Sequence, residues 1–208
     1  MRILLADNHV LVRQGLKGLL EGNGYPVVME ASDGQQVLRL SQEAHFDVAI
    51  LDVSMPILNG IDTARELTRS ASKTKTILLT RHDEDQYVIE ALRAGVKGYV
   101  LKSQAVDDLL HAIGHVCGGK IYLSPGVSGA VAGAYLSKAR PQADPLSSRE
   151  RQVLQLIADG RSSKEVANVL GISTKTVDTH RTRLMGKLNI HDAVSLVRYA
   201  IRRGMIHP

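Results

Sequence analysis

Hydrophobic positions along residues 1–117 follow two rhythms that alternate. Short apolar runs of strand length occupy residues 2–6, 27–29, 48–51, 76–79 and 98–101. Between them, apolar residues recur at helical spacing, as in Leu11, Leu16, Leu19 and Leu20, or Ile61, Ala64 and Leu67. Runs that are apolar throughout suit strands buried on both faces, and the 3.6-residue period suits helices packed upon them. Helices are therefore predicted over 10–21, 34–41, 61–70, 83–94 and 105–116, with Asp33 capping the second and Val37 and Leu38 turned inward. Five strand–helix alternations with short joins predict an α/β domain. Its core is an open, doubly wound, five-stranded parallel sheet with helices on both faces. The topological switch point falls near strands one and three.

From residue 145 onward the pattern is helical only. Ser147 and Glu150 have the spacing of a capping box, and Ser162 and Glu165 repeat it. Ser173 is placed to cap a helix over 174–188 whose Val177, Leu184 and Leu188 face inward. A last helix begins at His191-Asp192 and carries Ala193, Leu196, Val197, Ala200 and Ile201. Helix 163–170, the turn Gly171-Ile172-Ser173 and helix 174–188 form a helix-turn-helix pattern. Between the two halves, glycines 118, 119, 126, 129 and 133 and prolines 125, 141 and 145 break the pattern. A short helix fits 126–138, and 140–145 reads as linker. The chain thus divides into an α/β domain over 1–118, a linker with a short helix over 119–144, and an all-α helix-turn-helix domain over 145–208.

Composition sharpens this picture in three ways. Aromatic residues make up only 3% of the 208, with no Trp and one Phe, so the cores must rest on Leu, Ile, Val and Ala. Cys117 stands alone, which excludes an intrachain disulfide or a cysteine-rich metal site and fits a reducing compartment such as the cytoplasm. Asp7 interrupts the first apolar run, so the start reads as a strand and not a signal peptide, and no run is long enough to span a membrane. Charge is unevenly spread. Residues 1–117 hold 12 Lys/Arg against 15 Asp/Glu, a net of −3, whereas residues 146–208 hold 11 against 5, a net of +6. An acidic domain joined to one that meets a polyanion is the simplest reading.

Candidate chemistry collects where strands end. Four of the five runs end on Asp7, Asp52, Thr80 and Lys102, and Asp52 is followed by Met55-Pro56 and Gly60, which turn the chain. Two converging carboxylates repel unless a cation lies between them, and a hard ion such as Mg²⁺ suits oxygen ligands plus water. Lys102 adds a point charge and Thr80 a hydroxyl, so the set can bind a phosphoryl group, with Asp52 as the nucleophile and Asp7 as the metal ligand. Thr80 would sense the added charge, and Tyr99 could change rotamer with it. His9 and His82 read as surface or loop residues near this pocket. In the basic half, the outward face of helix 174–188 offers Lys175, Thr176, Asp178, Thr179, Arg181, Thr182, Arg183 and Lys187 to a major groove. His180 reads equally as core-adjacent or as a phosphate contact.

These motifs, in this order, resemble a two-domain response regulator of the NarL/FixJ type with a LuxR-type helix-turn-helix. The matching pieces are Ala6-Asp7, Leu51-Asp52, Met55-Pro56, Gly60, Leu78-Leu79-Thr80, Ala94-Gly95, Gly98-Tyr99 and Leu101-Lys102, then Leu146 to Arg151, Ala158-Asp159-Gly160, Lys164 to Ala167, Lys175-Thr176-Val177, His180 and Lys187-Leu188. The resemblance implies that Asp52 accepts a phosphoryl group from a sensor histidine kinase. It implies that Asp7 and the Ser54 backbone carbonyl help hold Mg²⁺, that Thr80 and Tyr99 form a switch pair, and that Lys102 pairs with the phosphoryl group. It further implies double-stranded DNA as partner, with Asp178, Thr179 and Thr182 at the groove, and a homodimer paired through the last helix by Leu196, Val197 and Ala200. Such a protein is no classical enzyme beyond its own phosphotransfer and slow autodephosphorylation. Asn8 departs from the pattern: the family usually has a second acid there, and an amide oxygen can ligate Mg²⁺ directly or through water but adds no charge. Rival readings are a DNA-binding regulator that does not use phosphate, a metal-dependent phosphatase-like hydrolase, and a receiver acting only as a protein-interaction module.

Overall fold

The computed structural model describes the chain except residues 71–72, 104–105, 128–144, 204 and 207–208. The chain divides into two compact units, Met1–Ala139 and Arg140–Pro208. In the first, strands and helices alternate as β1 Ile3–Ala6, α1 Val10–Gly22, β2 Val27–Ala31, α2 Gly34–Glu43, β3 Val48–Asp52, α3 Gly60–Arg69, β4 Lys75–Thr80, α4 Asp85–Arg93, β5 Gly98–Leu101 and α5 Val106–Cys117. All five strands are parallel, in the order β2-β1-β3-β4-β5, so the chain reverses its direction of winding between β1 and β3 as expected. The sheet separates two apolar cores. One holds Leu4, Leu51, Leu78 and Tyr99 under α2, α3 and α4; the other holds Ile3, Ile50, Ile77 and Val100 under α1 and α5. Neighbouring residues of one strand thus feed opposite cores, which is why each run is apolar throughout.

One element lies beyond the predicted five strands. Tyr122–Leu123 forms β6, parallel to β5, and a 3₁₀ turn follows at Pro125–Val127. Val127 is buried in the first core. This part of the stretch read as linker therefore completes the sheet. The remainder of the helix expected over 126–138, and the linker over 140–144, lie outside the described residues.

The second unit contains α6 Ser148–Ala158, α7 Ser163–Leu170, α8 Thr174–Leu188 and α9 Ala193–Arg202, with no strand among the described residues. Both capping boxes form, Ser147 with Glu150 and Ser162 with Glu165. Ser173 accepts from the Thr176 N–H and Asp192 from the Ser195 N–H. Each cap is worth about 1 kcal/mol, a large share for so small a unit. Val153, Leu154, Val166, Leu170, Val177, Leu184, Leu196 and Ala200 are buried at the centre. Gly171 closes α7 in the left-handed region, φ 64°, and so makes the sharp turn into α8.

Candidate functional site

Four strand ends build the first site. β1, β3, β4 and β5 are parallel neighbours, so Asp7, Asp52, Thr80 and Lys102 leave the sheet at its carboxyl edge. Lys102 Nζ donates to Asp7 Oδ2 at 2.8 Å and stands 3.0 Å from Asp52 Oδ1. One ammonium thus bridges two carboxylates that are 1% and 4% exposed, which would otherwise repel.

The frame around these groups is specific. The Asp7 N–H donates to the Ala31 carbonyl, and Arg13 Nη1 donates to the Asp7 carbonyl at 2.5 Å. Arg13 is held in turn by Glu30, which also takes Gln14 and Lys17. The Lys17 hydrogen bond holds the Glu30 carboxyl below its usual range, with Arg13 adding to the effect. Behind Asp52, Gly60 approaches so closely that a Cβ there would lie 2.2 Å from the Asp52 carbonyl oxygen. A larger residue there would have to push the Asp52 backbone aside.

His9 belongs to this pocket. Its N–H donates to Asp7 Oδ1 at 2.7 Å, and its Nδ1 lies 3.2 Å from the same oxygen. A His9 ring nitrogen and one oxygen each from Asp7 and Asp52 all lie within 4.8 Å of one another. Two carboxylate oxygens and an imidazole nitrogen at that spacing suit a divalent cation. Asn8, by contrast, is exposed, and so is Ser54.

His82 is not the surface or loop residue its sequence position suggests. It is 7% exposed and stacks on Tyr87, ring centroids 4.2 Å apart and planes 2° from parallel. Its N–H donates to Thr80 Oγ1 at 3.0 Å, and its carbonyl accepts from the Tyr99 hydroxyl at 2.9 Å. Its Nε2 lies 3.4 Å from Ser54 Oγ. The two sides of one residue's backbone therefore join the two residues expected to act as a switch. Tyr99 is wholly buried, and burial pushes its phenol pKa upward.

A second connection leaves the pocket along β5. The Ser124 N–H donates to the Tyr99 carbonyl at 2.9 Å, and the Leu101 N–H donates to Ser124 Oγ at 3.1 Å. Asp108 on α5 accepts from both the Ser124 and Tyr122 hydroxyls. Burial, with the bond and charge of Asp108, pushes the Tyr122 phenol up to about 12.

In the second unit, α8 exposes Lys175, Asp178, Thr179, Thr182 and Arg183, while Thr176 and Arg181 are half-buried. Several of these groups already have local partners. Thr176 bonds the Ser173 hydroxyl, Thr179 donates to the Lys175 carbonyl, and Thr182 to the Asp178 carbonyl. Asp178 Oδ1 accepts from the Ser163 hydroxyl at 2.9 Å, tying α8 to the start of α7. Lys187 Nζ meets Glu150 at 2.7 Å and is thereby directed toward α6. Burial opposes charge on Glu150, but Lys187 and Ser147 outweigh it and hold the carboxyl below its usual range. His180 Nδ1 is buried and has no hydrogen-bond partner among the described residues, which places that edge of the ring inward. On α9, Leu196 and Ala200 are buried in the unit's own core, so neither is presented for pairing. The larger apolar side chains turned outward are Val194, 63% exposed, and the half-buried Val197 and Ile201.

Residues 3–114 match the family model of the response regulator receiver domain, and residues 144–200 that of bacterial regulatory proteins of the luxR family. The chain belongs to the response regulators. This response regulator is 37% identical over 207 residues to the transcriptional regulatory protein MctR of Rhizobium johnstonii, covering 99% of this chain and 95% of that one. It is 35% identical over 211 residues to the response regulator UvrY of Escherichia coli, again covering 99% and 95%. Among solved structures it resembles RcsB of Salmonella enterica serovar Typhimurium bound to a promoter in the presence of phosphomimetic BeF₃⁻. That match has a TM-score of 0.63, 28% identity, and 97% and 98% of the two chains covered. In this response regulator the receiver carries the acidic pocket and the luxR-type unit carries the basic helix. No helix among the described residues is long and apolar enough to cross a membrane.

Proposed function

We propose that Asp52 is the phosphoacceptor of this response regulator and that its phosphorylation, by a sensor histidine kinase, governs binding of α8 to double-stranded DNA. The observation that supports this best is the Lys102 ammonium within 3.0 Å of both carboxylates at the carboxyl edge of the sheet. In the transfer, an Asp52 oxygen attacks phosphorus; the P–N bond to the donor histidine breaks and a P–O bond forms. Asp7, Asp52 and the Ser54 carbonyl would hold Mg²⁺, with Asn8 ligating directly or through water; the ion supplies charge neutralisation at the transferring group. Lys102 orients the phosphoryl oxygens, and Thr80 donates its hydroxyl to one of them. Thr80 is also the acceptor of the His82 N–H, so its movement is passed to the residue whose carbonyl Tyr99 grips.

For DNA, Lys175, Thr179, Thr182 and Arg183 form the groove-facing stripe, with Thr176 at its start. Asp178 and Lys187 act by orienting α7 and α6 against α8. Two copies pair on DNA through the outward face of α9, where Val194, Val197 and Ile201 replace the pair Leu196 and Ala200. RcsB, solved in complex with DNA and as two dimers bound to two parallel DNAs, supports both parts of this reading. Labelling with acetyl phosphate tests the first part. Wild type incorporates phosphate in the presence of Mg²⁺ and Asp52→Asn incorporates none; equal labelling of the two would refute it. Selecting bound DNA from a random pool, with and without phosphorylation, tests the second.

A further inference from the structure

We propose that His9 is a ligand of the metal in the Asp52 pocket and that it tunes the pocket toward first-row transition ions over Mg²⁺. This rests on the reading of that pocket as the phosphoacceptor site. Three observations lead to it. The pocket is short of negative charge, because Asp7 and Asp52 already share the Lys102 ammonium and Asn8 contributes an exposed, neutral amide. Mg²⁺ binds through charge and hard oxygens and keeps much of its water, so this donor set holds it poorly. The His9 ring is within reach: its nitrogen joins one oxygen of each carboxylate inside 4.8 Å. Its ring is also uncommitted to the helix. His9 is the N-cap of α1 yet makes no side-chain cap, and with its side chain 52% exposed the ring has room to turn toward an ion. Meanwhile its N–H, bonded to Asp7 Oδ1, tethers it at the rim.

Imidazole discriminates where carboxylate does not. It adds little for Mg²⁺ but strengthens binding of ions along the series from Mn²⁺ to Cu²⁺, and of Zn²⁺. A pocket with one acid replaced by an amide and a histidine beside it therefore shifts its preference from a hard ion to a borderline one.

Calorimetric titration of the full chain with Co²⁺ and with Mg²⁺ separately tests this. Wild type binds Co²⁺ more tightly than Mg²⁺. His9→Ala loses roughly 10- to 100-fold for Co²⁺, the scale on which shell groups act at metal sites, and leaves Mg²⁺ affinity within about twofold. His9→Gln, which keeps a polar side chain without imidazole, behaves the same way. Pulsed EPR of bound Mn²⁺ shows coupling to a nitrogen nucleus in wild type that both variants lack. Unchanged Co²⁺ affinity in His9→Ala, equal losses for both ions, or a nitrogen coupling that survives the substitution would overturn the proposal. Asp52→Asn separates the two readings. If it lowers binding of both ions while His9→Ala changes neither, the pocket holds the metal without His9. If it leaves both unaltered, the ion lies elsewhere and the phosphoacceptor reading loses its metal as well.

Discussion

Ile57 adopts φ 69°, in a region β-branched residues avoid, and the Leu58 N–H donates to the Pro56 carbonyl across it. That pairing of a positive φ with a bond spanning one residue fits a classic γ-turn, which is rare and strained. The strain lies five residues after Asp52, in the loop that frames it. Ile57→Asn, which tolerates the conformation, is expected to raise stability by about 1 kcal/mol in urea unfolding. Gly60 shows the opposite constraint. Gly60→Ala forces a Cβ against the Asp52 carbonyl and should cost roughly 1–3 kcal/mol while slowing acetyl phosphate labelling. At this scale the sequence spoke unevenly. The positions of Asp7, Asp52, Thr80 and Lys102 were legible because each closes or directly follows a strand that must be buried. His82 was not, since nothing local tells of its stack on Tyr87. Leu11 sits at a helical repeat with Leu16, Leu19 and Leu20 yet is 89% exposed, because α1 packs only its later turns on the sheet.

Helices with a cap and a periodic face were readable within a residue or two; β6 was not. Tyr122–Leu123 is too short for a pattern, and the glycine pair before it signals a linker. Only its contacts explain it, since Ser124 bonds the backbone of β5 on either side of Val100 and Asp108 grips Ser124 from α5. β5 carries Tyr99 and leads into Lys102, so these bonds offer a path from the pocket to the edge of the sheet. Ser124→Ala should label at Asp52 like wild type but show a smaller gain in DNA affinity on phosphorylation. A gain equal to wild type in a binding titration would count against this path. On α9, periodicity found the buried stripe correctly but could not tell an intramolecular core from a pairing surface, for both are apolar.

The two units differ in charge, −3 for residues 1–117 and +6 for residues 146–208, so DNA affinity should depend steeply on salt. Lys175→Ala is expected to lower the slope of log affinity against log salt by about 1, the mark of one lost phosphate contact. Glu150 sets an acid limit on the second unit. Its carboxyl is held below the ordinary 4.5, so its charge-linked stability is in place above that value and is lost as pH falls through the folded-state value beneath it. The stability difference between wild type and Glu150→Gln should therefore shrink on acidification, as denaturant titrations at successive pH values would record. Where the receiver stops also governs how it can be handled in isolation. A fragment cut at residue 118 would strip the hydrogen-bonding partners from the outer side of Gly98–Leu101 and vacate the place of Val127, leaving a bare template for other chains to pair with. A fragment carried through residue 127 keeps that flank occupied and should stay monodisperse where the shorter one precipitates.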